Sequence, residues 1–164
     1  MGCPLVSCLV QVSQKFVGKV FCNLKLLLTF YCCSCKLKMD KMSKTIIMTA
    51  SVLLALAVAI GAFGAHGLKS YVSAAMLQTW KTGVEYHFYH ALGLLLVGVL
   101  AVSMPSVYLK WSAILLTAGI ILFSGSLYVL AVSGIKWLGA VTPLGGLSFI
   151  AGWILLFLSV WKKF

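Results

Sequence analysis

The side chains best suited to chemistry are His66, Glu85, Tyr86, His87 and His90, followed by Ser124, Ser126, Tyr128 and Thr142. Tyr86 and His90 stand four residues apart, and His87 and His90 three apart, so on a helix each pair shares a face. Imidazoles beside a carboxylate are the donor set of a metal site. They also make proton relays or hydrogen-bonded polar clusters when placed inside a membrane. Histidine and tyrosine are common interfacial anchors, and ligand spacing of this kind recurs by chance. The hydrogen-bonded cluster therefore ranks first, with no metal and no cofactor expected. Ser124 and Ser126 either line a pathway or bond back to carbonyls of their own helix, and the second is favoured. Pro143 lacks an N–H and is expected to kink its helix, freeing carbonyls near Thr142.

Catalysis finds little support. Glu85 is the only acid after Asp40, so two carboxylates cannot share general acid–base work. No phosphate-binding glycine loop followed by lysine is present, and no serine elbow. No catalytic residue is assigned and the chain is not expected to be an enzyme.

The elements that position these residues follow from composition. Of 164 residues, 62% are hydrophobic and 9% charged, against about 25% charged in ordinary soluble domains. That leaves too little polar surface to coat a globule, and lipid is the solvent that fits. The net charge of +11 does not indicate nucleic acid. All thirteen basic residues are lysine, without the arginine fork that reads phosphates and bases, and they are scattered between apolar runs.

From Lys44 onward the charges divide the chain into uncharged stretches at 45–68, 86–109, 111–135 and 137–161. A helix needs about 20 residues to cross a hydrocarbon layer of ~30 Å, so each stretch spans it. The spacing predicts helices over about 46–66, 86–104, 110–133 and 137–161, with 69–85 as the one real loop. The fold class is all-α: a polytopic membrane protein, a compact bundle of four transmembrane helices. Met104-Pro105-Ser106 and Ser133-Gly134 supply turns.

Four spans put both termini on one side. Counted from Met42, that side holds Lys44, Lys110, Lys162 and Lys163, against Lys69, Lys81 and Lys136 opposite. The bias points to cytoplasmic termini in a cell membrane. His66 ends helix one, Glu85 to His90 open helix two, Ser124 to Tyr128 close helix three, and Thr142 opens helix four. The candidate cluster of His66, Glu85, Tyr86, His90, Ser124, Ser126, Tyr128 and Thr142 thus gathers in the half away from the termini. Helix packing is assigned to small residues, since apolar burial cannot drive helix against helix in lipid: Gly61, Gly64, Gly125, Gly145, Gly146 and Gly152.

Residues 1–41 read differently. All six cysteines (Cys3, Cys8, Cys22, Cys32, Cys33 and Cys35) lie there, lysines break every apolar run, and no processing signal fits. The segment is expected to be an upstream extension, disordered or foreign to the fold, with Met42 as the natural start.

Gly61-Ala62-Phe63-Gly64-Ala65-His66, Gly83-Val84-Glu85-Tyr86 with His90, Leu122-Phe123-Ser124-Gly125-Ser126-Leu127-Tyr128, and Val141-Thr142-Pro143-Leu144-Gly145-Gly146 through Ala151-Gly152-Trp153 occur in that order. In this the chain resembles the domain-of-unknown-function 423 family over about residues 43–162. These are small multi-pass bacterial membrane proteins related to the transmembrane protein 256 group. The resemblance implies a multi-pass membrane protein and brings no activity, cofactor or catalytic residue with it.

The expected role is non-enzymatic, in packing, assembly or the cell envelope. The expected partners are the lipid bilayer and either further copies of the chain or other membrane proteins. The competing reading is a transporter or channel for a small solute or proton that uses the polar cluster.

Overall fold

The structure is a computed structural model, and it describes residues 39–163. Among the described residues there are only helices and short turns. Four helices are long and apolar enough to cross a membrane: Lys41–His66, Ala74–Ser103, Val107–Ser133 and Trp137–Trp161.

Helix α1 (Lys41–His66) begins where the Asp40 carboxylate accepts the Lys41 N–H at 2.8 Å. It ends where the Gly67 N–H bonds back to Phe63 O at 2.7 Å. The expected extension, residues 1–41, falls almost wholly outside the described residues, but its last two members cap and open α1.

Helix α2 (Ala74–Ser103) corrects the expected loop. Ser73 caps its start by accepting the Met76 N–H at 3.3 Å, so the helix begins twelve residues before Tyr86. Lys81, expected within the 69–85 loop, and Glu85, expected at its end, both lie inside the helix. At 30 residues, α2 is ~45 Å long, longer than the hydrocarbon is thick, so its first turns carry charge without breaking. Glu85 therefore lies eleven residues into α2. It does not open the helix.

The third span starts at Ser106, whose hydroxyl accepts the Tyr108 N–H at 3.2 Å. It comprises α3 (Val107–Gly119), a π-helical segment (Ile120–Ser124) and α4 (Gly125–Ser133). The π segment had no counterpart in the sequence reading. Gly134 closes the span at φ 70°, the left-handed region that a side chain disfavours. A 3-10 turn (Lys136–Ala140) leads to α5 (Thr142–Trp161). Pro143 sits in the first turn of α5, where its missing N–H would have no helical partner anyway. Placed there, Pro143 breaks no hydrogen bond inside α5, so the expected kink has no cause in it.

The start of α1, the end of α2, the start of α3 and the end of α5 lie at one end of the bundle. Gly98 of α2 stands beside Ile47 of α1, and Lys163 reaches the Ser103 carbonyl. Helix α1 packs on α2, α2 on the third span, and α3 on α5. The main core joins Ala50, Ala91, Leu94, Val97, Leu109, Leu116 and Phe149. Between the first half of α1 and α3 a groove of about 810 Å³ stays open, floored by Leu94 and Thr117.

Candidate functional site

Antiparallel α1 and α2 fix the depth of the polar residues. Gly61 faces Val84, five residues before α1 ends, which sets Glu85 about 8 Å below that end. Trp80 secures the register: its indole Nε1–H donates to Ile60 O at 3.2 Å, and its ring lies where a Gly64 Cβ would be. Across the bundle, the Tyr128 ring occupies the space a Cβ on Gly83 would need, at 2.9 Å. Glycine lets these aromatic rings lie against a neighbouring backbone.

His87 sits in this setting. It is 3% exposed, its Nδ1 stands 3.2 Å from the Tyr128 hydroxyl, and its Nε2 is buried without a partner. The Tyr128 ring leans on Trp80 with centroids 4.8 Å apart. One turn deeper, His90 Nδ1 lies 2.7 Å from the Tyr86 carbonyl. A carbonyl only accepts, so Nδ1 carries the proton there. The His90 ring stacks on Phe149 at 3.4 Å and 12°, and Tyr86 stacks on Phe123 at 4.6 Å. Phe149 comes from α5 and Phe123 from the π segment, so this aromatic stack joins three elements.

The hydroxyls form a separate group. The Ser126 hydroxyl lies 2.9 Å from Phe123 O, to which it donates, and 3.0 Å from the Thr142 hydroxyl. That pair ties the third span to the start of α5. Ser124, wholly buried in the π segment, has no partner for its hydroxyl. Of the two serines, only Ser126 bonds back to a carbonyl of its own span.

The eight cluster residues therefore do not meet at one point. Tyr86 and His90 share one stack, Tyr128 serves His87, and Ser126 serves Thr142. Ser124 is buried alone. His66 is exposed at the end of α1, and Glu85 is exposed on α2. Glu85 leaves the cluster because the face of α2 turned to its neighbours carries Gly83, His87, His90 and Leu94. His87, which the spacing argument used only beside His90, is the most enclosed imidazole. Its signal was available: it lies four residues after Gly83 and seven before Leu94. Among the described residues, no three His, Cys, Asp or Glu side chains come together as a metal-binding set.

The packing glycines also divide. A Cβ on Gly64, Gly145 or Gly152 would strike Trp80, Phe123 or Leu116 respectively, and one on Gly61 would stand 3.3 Å from Val84. At Gly125 and Gly146 a Cβ would meet nothing within 4 Å, because these two face away from the neighbouring helices. Gly93, Gly98 and Gly119, which the sequence reading left out, meet Trp153, Ile47 and Phe149 closely. The α3–α5 seam adds two cross-helix bonds. The Ser112 hydroxyl donates to Gly152 O at 2.8 Å, and that of Ser148 to Leu115 O at 2.7 Å.

The sequence profile of a family described as "Protein of unknown function (DUF423)" matches residues 60–146. The UPF0382 membrane protein YwdK of Bacillus subtilis is 48% identical over 120 residues, 73% of this chain and 98% of that protein. A UPF0382 membrane protein of Staphylococcus haemolyticus is 44% identical over 119 residues, 73% of this chain and 97% of the relative. No solved structure matches the chain. With half of the chain matched by the profile and nearly the full length of its relatives covered, the chain belongs to the DUF423 family, also called UPF0382, of membrane proteins.

Proposed function

We propose that the chain is a non-enzymatic protein of the cell membrane, with both termini in the cytoplasm. On this reading it acts through helix packing, as an assembly or envelope component and not as a conduit. One observation carries the reading: four of the enclosed polar residues, Ser126, Thr142, Tyr128 and His90, spend their hydrogen bonds inside the bundle. Ser126 is engaged by Phe123 and Thr142, Tyr128 by His87, and His90 by the Tyr86 carbonyl, with aromatic rings stacked over the imidazole. Groups that handle a solute must be able to exchange partners with it, and these are already paired. The lysine count favours the cytoplasmic side for Lys44, Lys110, Lys162 and Lys163.

A transporter or channel for a small solute or proton is the competing reading. It draws on His87 Nε2 and the Ser124 hydroxyl, both buried and unpaired, and on Glu85 lying within α2. Cysteine accessibility separates the two. The six native cysteines, replaced by serine, leave a cysteine-free background in which Ser124→Cys or, as an exposed control, Ser70→Cys is the only thiol. In proteoliposomes a water-soluble maleimide should label the control and leave position 124 unmodified. Labelling of position 124 at a rate near the control would reject the packing role in favour of a water-filled path.

A further inference from the structure

The groove between the first half of α1 and α3 is confined to one half of the bundle. Its volume is about 810 Å³, and Ile46, Leu94, Ala113, Ile114, Ala118 and Ile121 line it. In the other half the same wedge is filled with protein. There Ile60 of α1, Trp80 and Val84 of α2, and Tyr128 and Ala131 of α4 pack into one core cluster. From Lys110 to Ile121 the groove follows the third span for ~16 Å, about half of a ~30 Å hydrocarbon layer. With Lys110 at the headgroup level, it reaches the bilayer midplane and stops there.

The walls are apolar because their hydroxyls are spent locally. Thr45 donates to Lys41 O at 2.9 Å, Thr49 to Thr45 O at 3.0 Å and Thr117 to Ala113 O at 2.8 Å. Charge collects only at the mouth, where Asp40, Lys41 and Lys110 line the groove. The Asp40 carboxylate accepts the Lys41 N–H and is engaged as the cap of α1. Among the described residues neither lysine ammonium donates to a protein acceptor, whereas Lys162 and Lys163 are held by the Tyr108 hydroxyl and the Ser103 carbonyl. Helices α1 and α3 both start at this end, so their positive ends flank the mouth.

A fitting occupant is apolar over the depth of one leaflet and negative at its outer end. A helix from a second copy runs through the whole bilayer, and this groove offers it contacts over only half. An acyl chain ends at the midplane, and its phosphate stands at the level of the lysines. No hydrophobic force drives the chain out of the bilayer, because the neighbours it leaves are as apolar as the groove. Filling the wedge restores dispersion contacts that a gap forfeits, and the ammonium groups hold the headgroup end.

We propose that the groove holds one acyl chain of a glycerophospholipid from the leaflet at the end with the termini, its phosphate between Lys41 and Lys110. The chain takes the place beside α1 that Trp80 and Tyr128 fill in the other half, and it props a helix that otherwise packs mainly on α2. The proposal does not depend on the packing role given above, since a transporter could carry the same lipid.

Native mass spectrometry of the full chain in detergent tests it, with added phosphatidylglycerol or with diacylglycerol, which has the same chains and no phosphate. One phosphatidylglycerol should be retained per chain, and an equal concentration of diacylglycerol should not displace it. Ala118→Phe puts a ring into the groove and should cut retention about tenfold. Ala55→Phe adds the same ring on the exposed face of α1 and should change nothing. The pair Lys41→Gln and Lys110→Gln should weaken retention about fivefold per lysine. The pair Lys162→Gln and Lys163→Gln removes the same charge from the same end of the bundle and should leave it unchanged. All variants should keep their helical signal in detergent. Equal losses at Ala118 and Ala55 would overturn the groove in favour of lipid coating the whole surface, and equal losses in the two lysine pairs would overturn the seat of the phosphate. A full chain that retains no phospholipid would overturn the proposal, and so would a dimer that Ala118→Phe dissociates, which would give the groove to a second copy.

Discussion

The α1–α2 seam and the α3–α5 seam are both lined with glycine, yet they are held by different means. Along α1–α2 the glycines receive side chains: Val84 at Gly61, the Trp80 ring at Gly64, and mainly Ile47 and Ile46 at Gly98. One hydrogen bond, from Trp80 to Ile60 O, crosses the seam. Between the third span and α5, Gly119 and Gly152 also receive side chains, of Phe149 and Leu116, but Gly145 meets backbone: a Cβ there would stand 2.5 Å from Phe123 N of the π segment. Two serine hydroxyls stitch the carbonyls of Leu115 and Gly152 across the α3–α5 seam. Without a hydrophobic drive between helices in lipid, close backbone contact and cross-helix bonds are what remain to bind them. The α3–α5 seam uses both. The α1–α2 seam relies on side-chain packing, and α1 leaves a groove open towards α3.

The contrast predicts an ordered response to small substitutions, each read as unfolding free energy in detergent. Gly145→Ala should be the most damaging, at about 3 kcal/mol, because the obstructing atoms are backbone and cannot swing aside. A loss below that of Gly61→Ala, whose Cβ would stand 3.3 Å from the Val84 side chain, would break the distinction between the seams. Ser112→Ala removes one of the two cross-helix bonds and should lose about 0.6 kcal/mol, with ~1.7 kcal/mol as the upper end for such bonds. A neutral result would leave close packing as the sole glue of α3–α5. Gly125→Ala should have the smallest effect and the opposite sign, a gain of about 0.5–1 kcal/mol. Its backbone is right-handed helical at φ −59° and ψ −45°, and nothing lies within 4 Å of the added methyl. A loss there would show that the π segment needs glycine after it.

The histidine-bearing half and the lysine-bearing end differ in a related way. In the first, Tyr128 and the aromatic rings enclose His87 and His90, and the glycines admit those rings. In the second, polar groups line an open concavity next to the turn at Pro105.

Much of this was legible in the residues. The gaps between charges set four spans because a bilayer accepts only helices of a certain length, and a charge inside the hydrocarbon is expensive. Pro105 and Gly134 marked turns through the dihedral angles they impose or permit. Of the packing glycines, Gly61, Gly64, Gly145 and Gly152 announced close contacts, and Gly125 and Gly146 make none. The limits were equally physical. A charge near an interface does not end a helix, so Lys81 and Glu85 misplaced the start of α2, while the Ser73 cap carried the true signal. Hydropathy reads composition along the chain and is blind to hydrogen-bond register, so the π segment at Ile120–Ser124 went unseen.

The sequence by itself determined the solvent and the number of helices able to cross it, because these depend on charge spacing and length alone. Tertiary structure alone decided which glycines touch a neighbour, which imidazole is enclosed, and which buried hydroxyls stay unpaired. Each of those depends on the rotation of one helix about its axis relative to the next, and that rotation is set by interlocking shapes that no single helix contains.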